Sequence, residues 1–210
     1  MTKRILLPLG LVFIGFCAFA ALRGALTLHA AMPVFERSNE ANWAGPSDSI
    51  GPIDFSLWSP ARIHAYKESL SRQSNPPLAV LRIPKLRIVA PVLNGTDDIT
   101  LNRGVGLISG TALPGQPGNI GIAGHRDSFF RGLKDIARGD RIELDTAGQI
   151  YVYVVDKAYI TKPQDVNVLR AGPTPAITLV TCYPFYYAGS APQRYVVQAF
   201  KQAARSAGAL

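Results

Sequence analysis

Beyond residue 77 the chain breaks into short apolar windows rich in β-branched residues and separated by Pro and Gly turns, and these predict strands. Leu78 to Ile83 is the first window. Leu86 to Leu93 is the second, with Pro84 and Pro91 confining it to an edge or a bend. Ile120-Gly121-Ile122-Ala123 follows the turn Gly115-Gln116-Pro117-Gly118. The clearest hairpin sets Ile142-Glu143-Leu144 against Ile150 to Val155 through Thr146-Ala147-Gly148. Tyr159-Ile160, Ile177 to Thr181 and Arg194 to Phe200 complete the set. Phe129 to Ile136 reads as one helical turn, and Arg138-Gly139-Asp140 as a further turn. Seven or eight short strands with little helix predict a closed barrel or a sandwich.

Before residue 77 the pattern is different. Ile5 to Leu22 is an uncharged run of 18 residues, near the lower limit of about 17–25 for a membrane-spanning helix. Lys3 and Arg4 precede it and Arg23 follows, which favours an N-terminus inside and the rest of the chain outside. The alternative is a cleaved signal peptide, for which Ala18-Phe19-Ala20 would be the cleavage site. The run exceeds the usual signal core of about 7–15 residues, so an uncleaved anchor is expected. Residues 33–58 are rich in Pro, Gly, Ser and Asn and read as a stalk. Ser59-Pro60 is a helix start, and Ile63, Tyr66 and Leu70 recur at helical spacing, predicting a short helix over about 60–71. The expected organisation is a cytoplasmic stub (1–4), an anchor (5–22), a linker (23–77), a catalytic barrel (78–203) and a tail (204–210).

Charge narrows the partners. Net charge is +8, and residues 1–23 hold three of the 22 basic side chains and no acidic ones. The remainder carries 19 basic against 14 acidic groups, a modest excess that keeps a domain soluble without naming a partner. No basic-aromatic motif points to nucleic acid. Asp97-Asp98 is better explained as a helix cap than as a calcium site, which needs six to eight oxygens. No His/Cys cluster has zinc spacing, and no cofactor or metal is expected.

The chemistry rests on a thiol. Of the two cysteines, Cys17 lies in the anchor and cannot reach Cys182. A lone thiol outside the cytoplasm is a candidate nucleophile; an inert buried cysteine is the plain alternative. Cys182 ends the apolar run Thr178-Leu179-Val180-Thr181, so a strand delivers it to a rim. A free thiol is mostly protonated near neutrality and needs a base. His29 and His64 are incidental by position, whereas His125, set after Gly121-Ile122-Ala123-Gly124, is presented at a strand end. Arg194 opens the strand after Cys182; antiparallel pairing would bring it opposite the thiol, where a rigid cation can hold an oxyanion.

Thr178-Leu179-Val180-Thr181-Cys182 with Arg194 downstream resembles the TLxTC signature of the sortases. Gly124-His125-Arg126-Asp127 with Phe129-Phe130 and Leu133 resembles the sortase histidine segment, particularly in the class D-like branch, and Leu81-Arg82-Ile83-Pro84 and Gly118 to Gly121 fit as well. The likeness covers about residues 78–200. It implies a mostly β, closed eight-stranded barrel with a few short helices behind one N-terminal transmembrane helix. It implies a cysteine transpeptidase in which Cys182 attacks the Thr carbonyl of an LPxT-type sorting signal, His125 moves the proton and Arg194 stabilises the oxyanion. Thr181 and Ala123 would contribute to the substrate groove. The expected partners are exported proteins bearing that signal, an amine acceptor in peptidoglycan or on a protein lysine, and the membrane. Three alternatives remain: an L,D-type transpeptidase, disfavoured because Thr181 precedes Cys182 and Arg194 lies 12 residues on; an inactive barrel that binds sorting signals as a scaffold; and a redox-sensing thiol.

Overall fold

Eight strands close into one barrel because each carries an apolar side chain inward at every second position. The structure, a computed structural model, describes residues 52–146, 148–187 and 189–202. The expected anchor at 5–22, the first part of the linker and the tail from 203 lie outside the described residues. Among the described residues no helix is long and apolar enough to cross a membrane.

The strands are β1 (Ala79–Ile83), β2 (Ile88–Asn94), β3 (Val105–Leu107), β4 (Asn119–Gly124), β5 (Arg141–Thr146), β6 (Gln149–Thr161), β7 (Ala176–Tyr183) and β8 (Gln193–Lys201). Around the barrel they run β1-β2-β3-β4-β7-β8-β6-β5, and β5 closes on β1. Leu81, Ile83, Ile120, Ile122, Ile142, Leu144, Ile177, Leu179 and Val197 fill one shared core, none more than 1% exposed. Each such side chain taken from water contributes roughly 1.5–3 kcal/mol. Closure leaves no free sheet edge.

Several elements match the expected ones. Helix α1 (Pro60–Ser69) begins at Ser59, whose hydroxyl accepts the Arg62 N–H at 3.3 Å. Helix α2 (Asp98–Arg103) is capped by Asp97, whose carboxylate accepts from the Ile99 and Thr100 N–H groups, both at 3.1 Å. That carboxylate is spent on capping.

Two strands differ from expectation. The windows at 150–155 and 159–160 are one strand, β6, with a bulge between Val155 and Lys157 opposite β8. The bulge absorbs the break in alternation at Asp156-Lys157. β3, absent from the expected set, has only three residues, and Gly106 is its middle one. A Cβ there would lie 2.1 Å from the Gly95 carbonyl oxygen, so the glycine serves a close backbone approach rather than strand propensity. β2 is an interior strand despite Pro91. β3 pairs only with Val92–Asn94, so at Pro91 the strand has a neighbour on one side alone.

The linker also differs from a free stalk. Trp58 packs edge-on to Phe129 with centroids 4.6 Å apart, and Tyr66 lies 6.1 Å from the same ring. Arg103 of α2 donates to the carbonyls of Ser69 (3.3 Å) and Arg72 (2.8 Å). α1 is therefore docked against the loop that follows β4.

Candidate active site

Cys182 and Arg194 come from adjacent strands of the barrel, and His125 from just past the end of the strand next to them. β7 and β8 are antiparallel with Cys182 directly opposite Arg194. β4 and β7 are parallel with Gly124 opposite Thr181. His125 is the next residue, where β4 has ended and the chain enters a turn closed by the His125 carbonyl and the Phe130 N–H. Side chains alternate across a strand. Ile177 and Leu179, Ile120 and Ile122, and Val197 and Ala199 all face the core. Cys182 and Arg194 therefore share the outer face at the rim, and His125 follows the end of the neighbouring strand. All three are partly exposed.

Ala123 lies one layer below, paired with Val180, which in turn pairs with the fully buried Val196. These small and β-branched residues form an apolar floor beneath the three polar groups. Thr181 points the other way. It is 2% exposed, and its hydroxyl donates to the Gly124 carbonyl at 2.7 Å. The structure thus places Thr181 beneath the site, as a brace between the strand end carrying His125 and the one carrying Cys182, and not in the groove. Thr181→Val is expected to cost about 1–2 kcal/mol in denaturant unfolding, because a buried carbonyl loses its partner. Thr181→Ser should retain most of that stability.

The loop after β4 is held from several directions. Phe130, fully buried, packs against Gly124 so tightly that a Cβ there would lie 2.7 Å from the ring. The His125 carbonyl accepts from the Phe130 N–H at 3.3 Å. Arg126 donates to the carbonyls of Tyr187 (2.7 Å) and Gly189 (2.9 Å), tying the histidine loop to the segment between β7 and β8. Arg131 donates to the Phe185 carbonyl and lies 4.3 Å from the Tyr186 ring centroid. Asp127 accepts from Arg62 Nε at 3.0 Å and from the Ser59 hydroxyl at 3.2 Å.

The surroundings of His125 favour its neutral form. Burial, and then the Arg62 guanidinium, pull its imidazole from an ordinary value of 6.5 down to about 4, against the opposing charges of Asp127 and Asp98. Nε2 is buried with no hydrogen-bond partner among the described residues. A neutral imidazole with a free ring nitrogen is the form that accepts a thiol proton. The sign of the stability effect follows. Between pH 6.5 and 4 the unfolded chain protonates this side chain and the folded one does not, so stability falls as pH falls through that window. The loss in thermal midpoint between pH 7 and 5 is expected to be smaller in His125→Gln than in the parent.

Arg194 Nη1 donates to the carbonyls of Ala191 (3.3 Å) and Gln193 (3.0 Å). Nε and Nη2 remain uncommitted among the described residues and can receive a substrate oxygen. No group of three or more His, Cys, Asp or Glu side chains suited to a metal occurs among the described residues. Sequence reasoning missed Arg62 and Asn102 as partners of the histidine loop, and it named Arg126 and Asp127 beside His125 without their contacts. The only local signals were the Arg126-Asp127 pair after the histidine and the Ser59-Pro60 helix start.

A thiol and a guanidinium on paired strands, with an imidazole one residue past the neighbouring strand, are the group types that cysteine acyl transfer uses. The sortase-domain profile matches residues 81–202, more than half of the chain, and the chain belongs to the sortase family, a family of cysteine transpeptidases. It is 32% identical over 132 residues to Sortase D of Bacillus subtilis (strain 168), covering 62% of this chain and 67% of that protein. It is 36% identical over 127 residues to Sortase SrtE1 of Streptomyces coelicolor, covering 50% of this chain and only 36% of that protein. Among solved structures it resembles the Sortase D5 transpeptidase of Clostridium perfringens, with a TM-score of 0.56, 26% identity, and 67% of this chain and 89% of that one covered. The expected closed eight-stranded barrel is thus present, and the class D-like resemblance stands.

Proposed function

We propose that the protein is a membrane-anchored transpeptidase that cleaves an LPxT-type sorting signal after Thr and transfers the new carboxyl end to an amine in the cell envelope. The observation that supports this reading is the pairing of Cys182 with Arg194 across β7 and β8, with β4 lying parallel to β7 and ending one residue before His125. Cys182 gives its proton to His125 and attacks the Thr carbonyl carbon. The carbonyl electrons move to oxygen, where the Arg194 guanidinium holds the developing charge. The tetrahedral centre collapses, the C–N bond breaks, and the imidazolium returns the proton to the leaving amine. A thioester on Cys182 results. It retains acyl-transfer potential, so a second amine, deprotonated by His125, displaces the thiol and completes the exchange.

The uncharged run at 5–22 would anchor the chain with its barrel outside the cytoplasm. Tethering raises the local concentration of enzyme around exported substrates held in the same membrane. The role is surface-protein attachment or pilus assembly, with a peptidoglycan peptide or a protein lysine as acceptor. The test is a quenched-fluorophore peptide panel of LPxT and LAxT types, incubated with the full chain with and without an added amine. The expected result is cleavage after Thr, with the amine incorporated in the N-terminal fragment. Cleavage elsewhere, or a product that never carries the amine, would contradict transpeptidation.

A further inference from the structure

The linker helix α1 reaches the histidine loop through a defined set of polar contacts. Arg62 Nε donates to Asp127 Oδ1 at 3.0 Å, and Nη1 donates to Asn102 Oδ1 at 2.8 Å. Ser59 adds a backbone bond to the Asp127 carbonyl (3.1 Å) and a hydroxyl bond to its side chain. One guanidinium therefore joins three elements: α1, the loop two residues past His125, and α2. The Arg62 and Asp127 side chains are only 30% and 31% exposed, so solvent screens their charges less than on an open surface.

We infer that Arg62 is a positioning residue for the reaction: clamped by Asp127 and Asn102, it fixes the histidine loop and holds a permanent positive charge against that loop, two residues past His125. The inference rests on His125 acting as the acid–base group proposed above. Its immediate effect is on the imidazole itself and is readable without any substrate.

The groups around His125 determine the sign of each perturbation. α1 contributes Arg62, α2 contributes Asp98, and the loop itself contributes Asp127, with Cys182 on β7 and Arg194 on β8 across the rim. Arg126, next in sequence, is turned to the carbonyls of residues 187 and 189. Arg62 disfavours a charged imidazole and Asp127 favours it. The two halves of one ion pair thus act on His125 with opposite sign. Removing Arg62 both deletes a cation and frees the Asp127 charge, so both consequences favour protonation. Removing the Asp127 charge does the reverse. A pair that merely held the loop in place would give the same result from either side.

The experiment follows the imidazole signals of the full chain, labelled at histidine, by NMR across pH. His64 sits on the same helix with its side chain 83% exposed and serves as an internal reference. The His125 signal is assigned by its loss in His125→Gln. Arg62→Gln is expected to raise the His125 midpoint by about one pH unit, the low end for the loss of a nearby like charge. Asp127→Asn should leave it at or below the parent value. Arg62→Lys, which keeps the charge but loses the planar fork, should stay close to the parent. The acid inflection in the rate of Cys182 alkylation should move with the imidazole in each variant. Movement of Arg62→Gln and Asp127→Asn in the same direction would overturn the inference, as would an unshifted midpoint in Arg62→Gln or an Arg62→Lys midpoint that follows Gln. If these shifts appear while the parent cleaves no sorting peptide, the functional reading fails and the assignment of Arg62 as a charge acting on His125 stands.

Discussion

Cys182→Ala is expected to abolish peptide cleavage and amine transfer, with no residual acyl-enzyme, while the barrel stays folded. The thiol is partly exposed at the end of β7, outside the packed core. Losing it removes one atom from a rim and creates no cavity. The reaction loses the atom that forms the thioester, and nothing nearby replaces it: Thr181 faces inward with its hydroxyl committed to Gly124. Cys182→Ser should be nearly as inert, since a hydroxyl is far less acidic than a thiol and His125, whose basicity is lowered by partial burial and by Arg62, is a weak base. Circular dichroism and thermal melting check the fold, and peptide turnover checks the chemistry. A Cys182→Ala variant that still cleaves after Thr would remove the thiol from the mechanism.

The second large effect belongs to Arg194. Arg194→Ala is expected to lower kcat/KM by about 10²–10³, the usual loss for one oxyanion donor. The loss should appear mainly in kcat, because the negative charge exists only in the transition state. Arg194→Lys should recover little, since an ammonium offers no planar fork and its shorter reach misses an oxygen placed by the Cys182–Arg194 register. Stability should change little, because the two carbonyls of Ala191 and Gln193 lie at the surface end of β8 and can turn to water. A variant with normal kcat and raised KM would reassign Arg194 to ground-state substrate binding.

The sequence nominated candidate reacting groups more readily than it disclosed what surrounds them. The Cys182–Arg194 pairing was readable because the two strands are consecutive and antiparallel, so local alternation and a single turn set their register. The residue pattern predicted seven or eight strands in a barrel or a sandwich, with windows that were not all the right ones, and the closed eight-stranded barrel came from the family resemblance. β3 is too short and too glycine-rich to leave a pattern. β6 was split in two because one unpaired residue at the bulge reverses the phase of alternation. The His125–Cys182 neighbourhood depends on β4 lying parallel to β7, with β5 and β6 intervening in the chain. No local spacing encodes that, and the residue chemistry alone could nominate the histidine without placing it. The Arg62–Asp127 clamp is more remote still. It spans from a segment that reads as linker to a loop in the barrel, and a lone arginine on a short helix gives no sign of its partner. Thr181 shows the converse: its place next to the nucleophile makes it a groove candidate by resemblance, and the strand's period of two turns it inward.

The most direct test of the account is the intact mass of the full chain during incubation with LPxT-type and LAxT-type peptides, with Cys182→Ala beside it. The account predicts a mass increase equal to the peptide fragment ending in Thr, formed only with Cys182 present and discharged by an added amine. A folded protein that binds these peptides and never gains that mass would contradict acyl transfer and make the barrel a sorting-signal scaffold.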